Sequence, residues 1–296
     1  MRLILNGKSA ENLAVREAVS SLRESGHCLE VKVTWEAGDA ERFADEARRE
    51  GVDTVIAGGG DGTVHEVVRG LFRAGDFPKT ALGILPLGTA NDFATSCQIP
   101  SDPLAALSLV VEGNSVLIDV AKANEHLFVN VAVGGFGAEV TASTPPALKR
   151  LLGGTAYSVM GLVTALKMQP YQGRIISAQG TLEGGVILLA IGNGRQSGGG
   201  YQITPAAYLN DGLLDIMFVP EFPSSELGSV LNELLNPEQT ENRYVYYQQL
   251  SAFELQLSIE APMNFDGEPQ QVSTLHFEVL KQQLPIFLPP NIPMLL

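Results

Sequence analysis

Cysteine is nearly missing from this sequence, with Cys28 and Cys97 the whole complement. Two cysteines so far apart exclude a disulfide framework and a thiolate metal cluster, and they read as small buried residues of a reducing compartment. Histidine is almost as scarce. His27, His65, His126 and His276 fall at no zinc-ligand spacing, so no histidine metal centre is expected. Basic residues are in deficit, 19 Lys and Arg against 33 Asp and Glu, for a net charge of −14. That balance argues against nucleic acid as a partner, which needs a basic footprint. It also disfavours broad adsorption on anionic lipid, so a lipid substrate has to be met by a local apolar rim or a small basic patch. Long apolar runs are lacking too, and none could cross a bilayer. The apolar stretch from Leu284 to Leu296 is broken by Pro285, Pro289, Pro290 and Pro293 and reads as an extended segment packed on the protein. Met1 to Asn6 reads as a first strand in place of a signal peptide, so a cytoplasmic chain is expected.

What is present is a globular composition: 45% hydrophobic and 18% charged residues over 296 positions, enough for two modest domains. The first third alternates short apolar runs (Leu3 to Leu5, Val31 to Trp35, Thr54 to Ala57, Ala81 to Leu85) with helical patterns. Val15, Ala18, Val19 and Leu22; Ala40, Phe43, Ala44 and Ala47; and Val64, Val67, Val68 and Leu71 each fall at i, i+3, i+4, i+7. A further helix is expected from about Pro103 to Val111. This order predicts an α/β domain with a parallel sheet, helices on both faces and ligands at the carboxyl ends of the strands. From Val116 onward strand-like runs dominate (Val116 to Val120, Leu127 to Val133, Ile175 to Ala178, Val186 to Ile191, Leu213 to Val219, Phe253 to Ile259, Leu275 to Val279). That half is expected to be mainly antiparallel β and sandwich-like, with helical insertions at 146–152, 157–168 and 224–235. The expected domains are 1–120, with a tail from about 283 to 296 that returns to it, and 121–282.

Val55-Ile56-Ala57-Gly58-Gly59-Gly60-Asp61-Gly62-Thr63 carries a buried strand into a side-chain-free turn and then a helix, the build of a phosphate site. Asp61 inside such a turn repels phosphate unless a cation such as Mg²⁺ lies between them. Standing alone, the motif has a second reading as a tight turn with a capping Asp. Pro86-Leu87-Gly88-Thr89-Ala90-Asn91-Asp92-Phe93 is a second glycine turn at the end of a neighbouring strand, and the two can meet over one ligand. Asn91 and Asp92 suit a nucleotide contact or a helix cap. Gly7-Lys8-Ser9 mimics the end of a P-loop, but the pattern needs glycine at position 2, which is Arg2. Asp266-Gly267-Glu268 sets two carboxylates on one tight turn, suited to accepting a hydroxyl proton or to a plain hairpin.

Taken together, these motifs make the chain resemble the diacylglycerol kinase catalytic-domain family, and most closely its bacterial YegS-like lipid kinases. The likeness runs through Leu5-Asn6-Gly7-Lys8, Val33-Thr34-Trp35-Glu36, both glycine turns, Gly192-Asn193-Gly194-Arg195-Gln196, Leu209 to Asp215 and Phe265 to Pro269. The resemblance implies an ATP-binding α/β domain, a β-sandwich-like lipid domain and a reaction in the cleft between them. It implies ATP contacts at Thr34, at Gly60, Asp61, Gly62, Thr63, Val64, His65 and Glu66, and at Thr89, with Asp61 acting through Mg²⁺ or its water shell. His65 departs from the Asn often found there in bacterial members and is read as a polar residue of the first helical turn. Glu268 is the first choice for general base, with Asp266 the alternative in that role or in a metal–water network. The resemblance further implies a regulatory or structural Mg²⁺ site at the Asp211 carboxylate and the main-chain oxygens of Tyr208 and Leu213, where Ca²⁺ is the other candidate. The glycine-rich loop 194–200 is expected near the cleft, with Arg195 reaching phosphate, and the segment from Gly134 to Met168 reads either as a wall for acyl chains or as ordinary core. The function implied is transfer of the γ-phosphate of ATP to a hydroxyl of a glycerolipid, phosphatidylglycerol or diacylglycerol in type. The expected enzyme is peripheral and meets its membrane transiently. The competing readings are an NAD kinase, which shares a GGDGT-type turn, and a nucleotide-binding regulator without turnover.

Overall fold

A computed structural model of the chain describes residues 1–73, 78–135 and 170–296. The helices expected at 146–152 and 157–168 lie outside them, as does most of the 134–168 segment. The chain divides into two compact units, Met1–Val120 with Lys281–Leu296, and Ala121–Leu280.

In the first unit, strands β1 (Arg2–Leu5), β2 (Glu30–Val33), β3 (Thr54–Gly59) and β4 (Ala81–Pro86) pair in parallel in the order β2-β1-β3-β4. Every residue of β1, β3 and β4 is buried, which is the mark of a sheet covered on both faces. Helices α1 (Leu13–Glu24) and α5 (Pro103–Glu112) cover one face, with Val15, Ala18, Val19, Leu22, Ala106, Leu107 and Val110 packed on Leu3, Leu5, Ile56 and Leu85. Their N-caps are Asn12 and Asp102, whose side-chain oxygens accept first-turn amides. Helices α2 (Asp39–Arg49) and α3 (Asp61–Phe72) pack on each other and lie against β1 and β3. Their close crossing needs Gly70, because a Cβ there would stand 2.2 Å from the Glu41 carbonyl oxygen. A five-residue helix, α4 (Asp92–Ser96), follows the second glycine turn.

The proline-rich end is extended and packed. Leu284 and Ile286 are fully buried and Ile286 pairs in parallel with Leu82 of β4, while Leu288, Ile292 and Met294 are buried beyond it. Among the described residues no helix is long and apolar enough to cross a membrane.

The second unit is antiparallel. Strands β7 (Val131–Gly135), β8 (Gln172–Ser177), β9 (Gly180–Gly192), β12 (Leu214–Pro220), β13 (Tyr246–Leu250) and β14 (Ala252–Phe265) build its sheet, with the path β13-β12-β9-β7-β14 and β8 joining β9 and β14. Strand β15 (Glu268–Phe287) pairs with β14, while β5 (Ser115–Ala123) pairs with β6 (His126–Phe128) and with β15. Alternation along the strands loads both faces. Ala132, Leu189, Ile191, Ile216 and Phe218 belong to one core, and Val131, Val133, Ile187, Met217 and Val219 to another, roofed by Val230 and Leu234 of helix α6 (Leu227–Leu235). Two short strands, β10 (Gln196–Ser197) and β11 (Tyr201–Gln202), form a separate ribbon. The expected strand from Leu127 to Val133 is broken at Val129 and Asn130, and the cause lies in the candidate site.

Candidate functional site

Strand β3 ends at Gly59 and α3 begins at Asp61, with Gly60 extended between them. Gly59 has no room for a side chain, since a Cβ would lie 2.2 Å from the Thr63 hydroxyl. The amides of Thr63 and Val64 both donate to the Gly60 carbonyl, at 2.9 and 3.1 Å. Of the residues expected to contact ATP here, Gly62 is exposed and its N–H has no acceptor among the described residues. Thr63 is buried and its hydroxyl accepts from the Asn6 amide at 3.3 Å. Val64 and His65 are buried at 4% exposure each, so both belong to the packed side of α3.

The second glycine turn meets the first backbone to backbone. A Cβ on Gly88 would stand 2.4 Å from the Gly60 Cα, so Gly88 takes no side chain without parting the turns, and one on Gly60 would sit tightly at 3.1 Å from the Gly88 Cα. Asn91, at φ 51°, holds the second turn by accepting from the Gly88 amide at 2.8 Å and donating to its carbonyl at 3.0 Å. Asp61 binds the two turns together. Its carboxylate accepts the Asp92 and Phe93 amides, both at 3.2 Å, and so caps α4. Thr89 stands exposed beside Gly88.

Next to the first turn lies a cavity of about 480 Å³ lined by Asn6, Gly7, Lys8, Thr34, Trp35, Glu36, Ala37, Ala40, Thr63 and Glu66. Of the expected ATP contacts it gathers Thr34, Thr63 and Glu66, while Gly60, Asp61, Gly62 and Thr89 are not in its lining. The Thr34 hydroxyl accepts the Gly7 amide at 3.2 Å. Glu66 accepts the amides of Gly38 and Ala40, both at 3.2 Å, which ties α3 to the start of α2. Asn6, Lys8, Trp35 and Glu36 join the lining without having been assigned a role; their signal was their place directly after β1 and β2, at the carboxyl edge of a parallel sheet.

In the second unit Asp266 and Gly267, at φ 48° and 101°, form the two-residue turn between Phe265 and Glu268. Asp266 is buried, and its carboxylate accepts the amides of Val129 at 2.7 Å, Asn130 at 3.1 Å and Val131 at 2.9 Å. Those amides cannot join a ladder, which is why the chain breaks between β6 and β7. From the other side, the Asn193 and Gly194 amides donate to the Asn130 carbonyl at 2.9 and 2.8 Å, giving the glycine motif at 192–194 a packing role. Glu268 is half-buried and its carboxylate takes no hydrogen bond among the described residues. The two acidic residues of one turn are thus unlike in what they hold.

Asp211 sits in a turn with Gly212 at φ 79°, its carboxylate accepting the Leu213 amide at 2.9 Å. Asp215, fully buried, accepts from Tyr247 at 2.7 Å and from Gln249 at 3.2 Å. Burial pushes its carboxyl up to about 6, with repulsion from Asp211 and Glu238 adding to the rise. Among the described residues no group of three or more His, Cys, Asp or Glu side chains converges, so a cation at Asp211 would rely on one carboxylate and main-chain oxygens. That donor set suits a hard cation, and the surrounding negative field favours one. Arg195, expected near phosphate, donates from Nε to the Ala207 carbonyl at 2.7 Å, and its guanidinium lies 5.1 Å from the Tyr208 ring centre.

Residues 1–123 match the family described as Diacylglycerol kinase catalytic domain, and residues 130–288 the one described as YegS C-terminal NAD kinase beta sandwich-like domain. The chain belongs to the YegS-like branch of the diacylglycerol kinase family. A relative from Shewanella frigidimarina, named "Probable lipid kinase YegS-like", is 43% identical over 100% of this chain and 96% of its own. Another of that name from Chromohalobacter salexigens is 49% identical over 90% of this chain and 86% of its own, and "Probable lipid kinase YegS" of Shigella flexneri is 45% identical over 99% and 97%. A crystal structure from Bacillus anthracis str. Sterne superposes with a TM-score of 0.81 at 26% identity, covering 98% of this chain and 95% of that one. A second from that organism, described as a diacylglycerol kinase, shares the fold at a TM-score of 0.77 and 22% identity over 98% and 97%. The α/β unit and the antiparallel β-rich unit accord with this family's architecture.

Proposed function

We propose that this family member is a lipid kinase that uses ATP and Mg²⁺ to phosphorylate a hydroxyl of a glycerolipid, phosphatidylglycerol or diacylglycerol in type. The observation that carries the nucleotide half is the contact of the two turns at the ends of β3 and β4 through Gly60 and Gly88, beside a cavity lined by Thr34, Lys8, Thr63 and Glu66. The Gly62 amide, the start of α3 and Lys8 are the groups suited to phosphate. Thr89 would donate to phosphate or ribose. Phosphoryl transfer asks little covalent chemistry of a protein beyond an aligned hydroxyl and an acceptor for its proton. Glu268 is assigned that proton, because Asp266 of the same turn is already committed to three main-chain amides. Proton loss to Glu268 leaves the lipid oxygen to bond to the γ-phosphorus as the bond to ADP breaks. Magnesium bound with the nucleotide would offset the charge of the phosphates, and Asp61 would face it through water.

Radiolabelled ATP incubated with the protein and a mixed lipid extract, followed by chromatography, is expected to give one labelled phospholipid. Label on NAD and none on lipid would make the protein an NAD kinase, a reading the second domain's description keeps relevant. ATP binding with no product over a broad lipid panel would make it a regulator. The enzyme is proposed to work in the cytoplasm and to visit its membrane transiently.

The Asp211 turn, with the main-chain oxygens of Tyr208 and Leu213, is proposed to hold a structural or regulatory Mg²⁺, with Ca²⁺ the other candidate. Binding to the folded state alone stabilises it by about 2.7 kcal/mol when the ion is 100-fold above Kd. Scanning calorimetry without nucleotide is expected to show a melting temperature that climbs with Mg²⁺ in the wild type and stays flat in Asp211→Ala. A parallel climb in both would remove this site.

A further inference from the structure

Trp35 is the one tryptophan of the chain and is 95% exposed. An exposed indole offers a large flat π-face with one polar N–H, a side chain enriched at binding surfaces. It is held firmly. Its own amide and that of Glu36 donate to the Asp39 carboxylate at 2.7 and 3.1 Å, while Glu66 fixes Gly38 and Ala40. The hydrogen bonds from Trp35 and Glu36, with that from Arg42, keep the Asp39 carboxyl below the usual carboxylate range. A pinned loop thus presents a ring that makes no aromatic contact among the described residues, at the wall of the cavity shared with Thr34 and Thr63.

We propose that Trp35 is the stacking platform for the purine base of the nucleotide, which makes the site prefer purine over pyrimidine triphosphates. The inference rests on the ATP reading above and adds what recognises the base. Ring stacking needs a flat π-face and no charge, so the acidic wall of Glu36 and Glu66 does not oppose a neutral base. Triphosphate is left to Lys8 of the same lining and to the glycine turns beside the cavity. The same acidic neighbours disfavour the second use of an exposed tryptophan, insertion into an anionic bilayer, where basic flanks are the rule.

Because no other indole is present, emission excited at the red edge of the absorption band, where tyrosine does not absorb, reports this residue alone. Saturable quenching is expected with ATP, weaker quenching with CTP, and none with inorganic tripolyphosphate even where calorimetry shows that it binds. Trp35→Ala should weaken ATP binding roughly tenfold by calorimetry, leave tripolyphosphate affinity unchanged, and be largely repaired by Trp35→Phe. Normal ATP affinity in Trp35→Ala with no change of wild-type emission would overturn the platform while leaving ATP binding intact. An emission shift with phosphatidylglycerol vesicles, absent with ATP, would assign the indole to the membrane and equally overturn it. No heat of ATP binding in the wild type would overturn the nucleotide reading itself.

Discussion

Asp266→Ala is expected to cost about 4 kcal/mol of stability, because three buried amides lose a charged acceptor at once. Each such amide left unmade costs about 1–3 kcal/mol, and water entering the gap recovers part of the sum. Alanine adds strain of its own at φ 48°, about 1 kcal/mol, since a Cβ is disfavoured in the left-handed region. The variants separate the two causes. Asp266→Gly removes the strain and keeps the loss, so it should melt slightly above Asp266→Ala. Asp266→Asn tolerates the same φ and keeps one acceptor oxygen, so it should fall between these and the wild type. Denaturant melts read by circular dichroism check the order, and a wild-type-like Asp266→Ala would show that the loop at 129–131 holds itself.

Glu268→Gln should do the opposite, keeping the fold and losing the reaction. No hydrogen bond of the native state depends on its carboxylate among the described residues, so stability is expected to stay within about 0.5 kcal/mol. A positioned general base contributes about 10²–10⁴-fold to rate, and kcat should drop by that order while the KM for ATP stays put. Steady-state kinetics beside the melting curves tests both halves. Full turnover by Glu268→Gln would hand the proton to Asp266 or to water.

The α/β unit was legible because its signals are local. Val15, Ala18, Val19 and Leu22 mark a buried helical stripe by spacing alone, and the same residues form the core of α1. The β-rich unit was legible in outline and less so in detail, since pairing there depends on residues far apart. Tyr246–Leu250 escaped as a strand because its exposed-to-half-buried Tyr-Tyr-Gln-Gln carries no apolar run. The break at 129–130 was invisible for a different reason: its cause, Asp266, is 136 residues away from Asn130. The site divides likewise. Glycine turns announce themselves through composition, whereas Trp35 and Lys8 acquire meaning only when parallel pairing sets the ends of β1 and β2 side by side.

Asp61 carries a warning for mutagenesis. Acidic residues in glycine turns are routinely replaced to ask whether an enzyme needs a metal, and inactivity is taken as a yes. Here the same carboxylate is the keystone of α4, so its removal would loosen Asn91 and Gly88 even in a protein that never bound an ion. A dead Asp61 variant is uninformative by itself: even Asp61→Asn keeps one acceptor oxygen where two separate oxygens take the Asp92 and Phe93 amides, so a loss of activity has to be read beside the variant's melting curve.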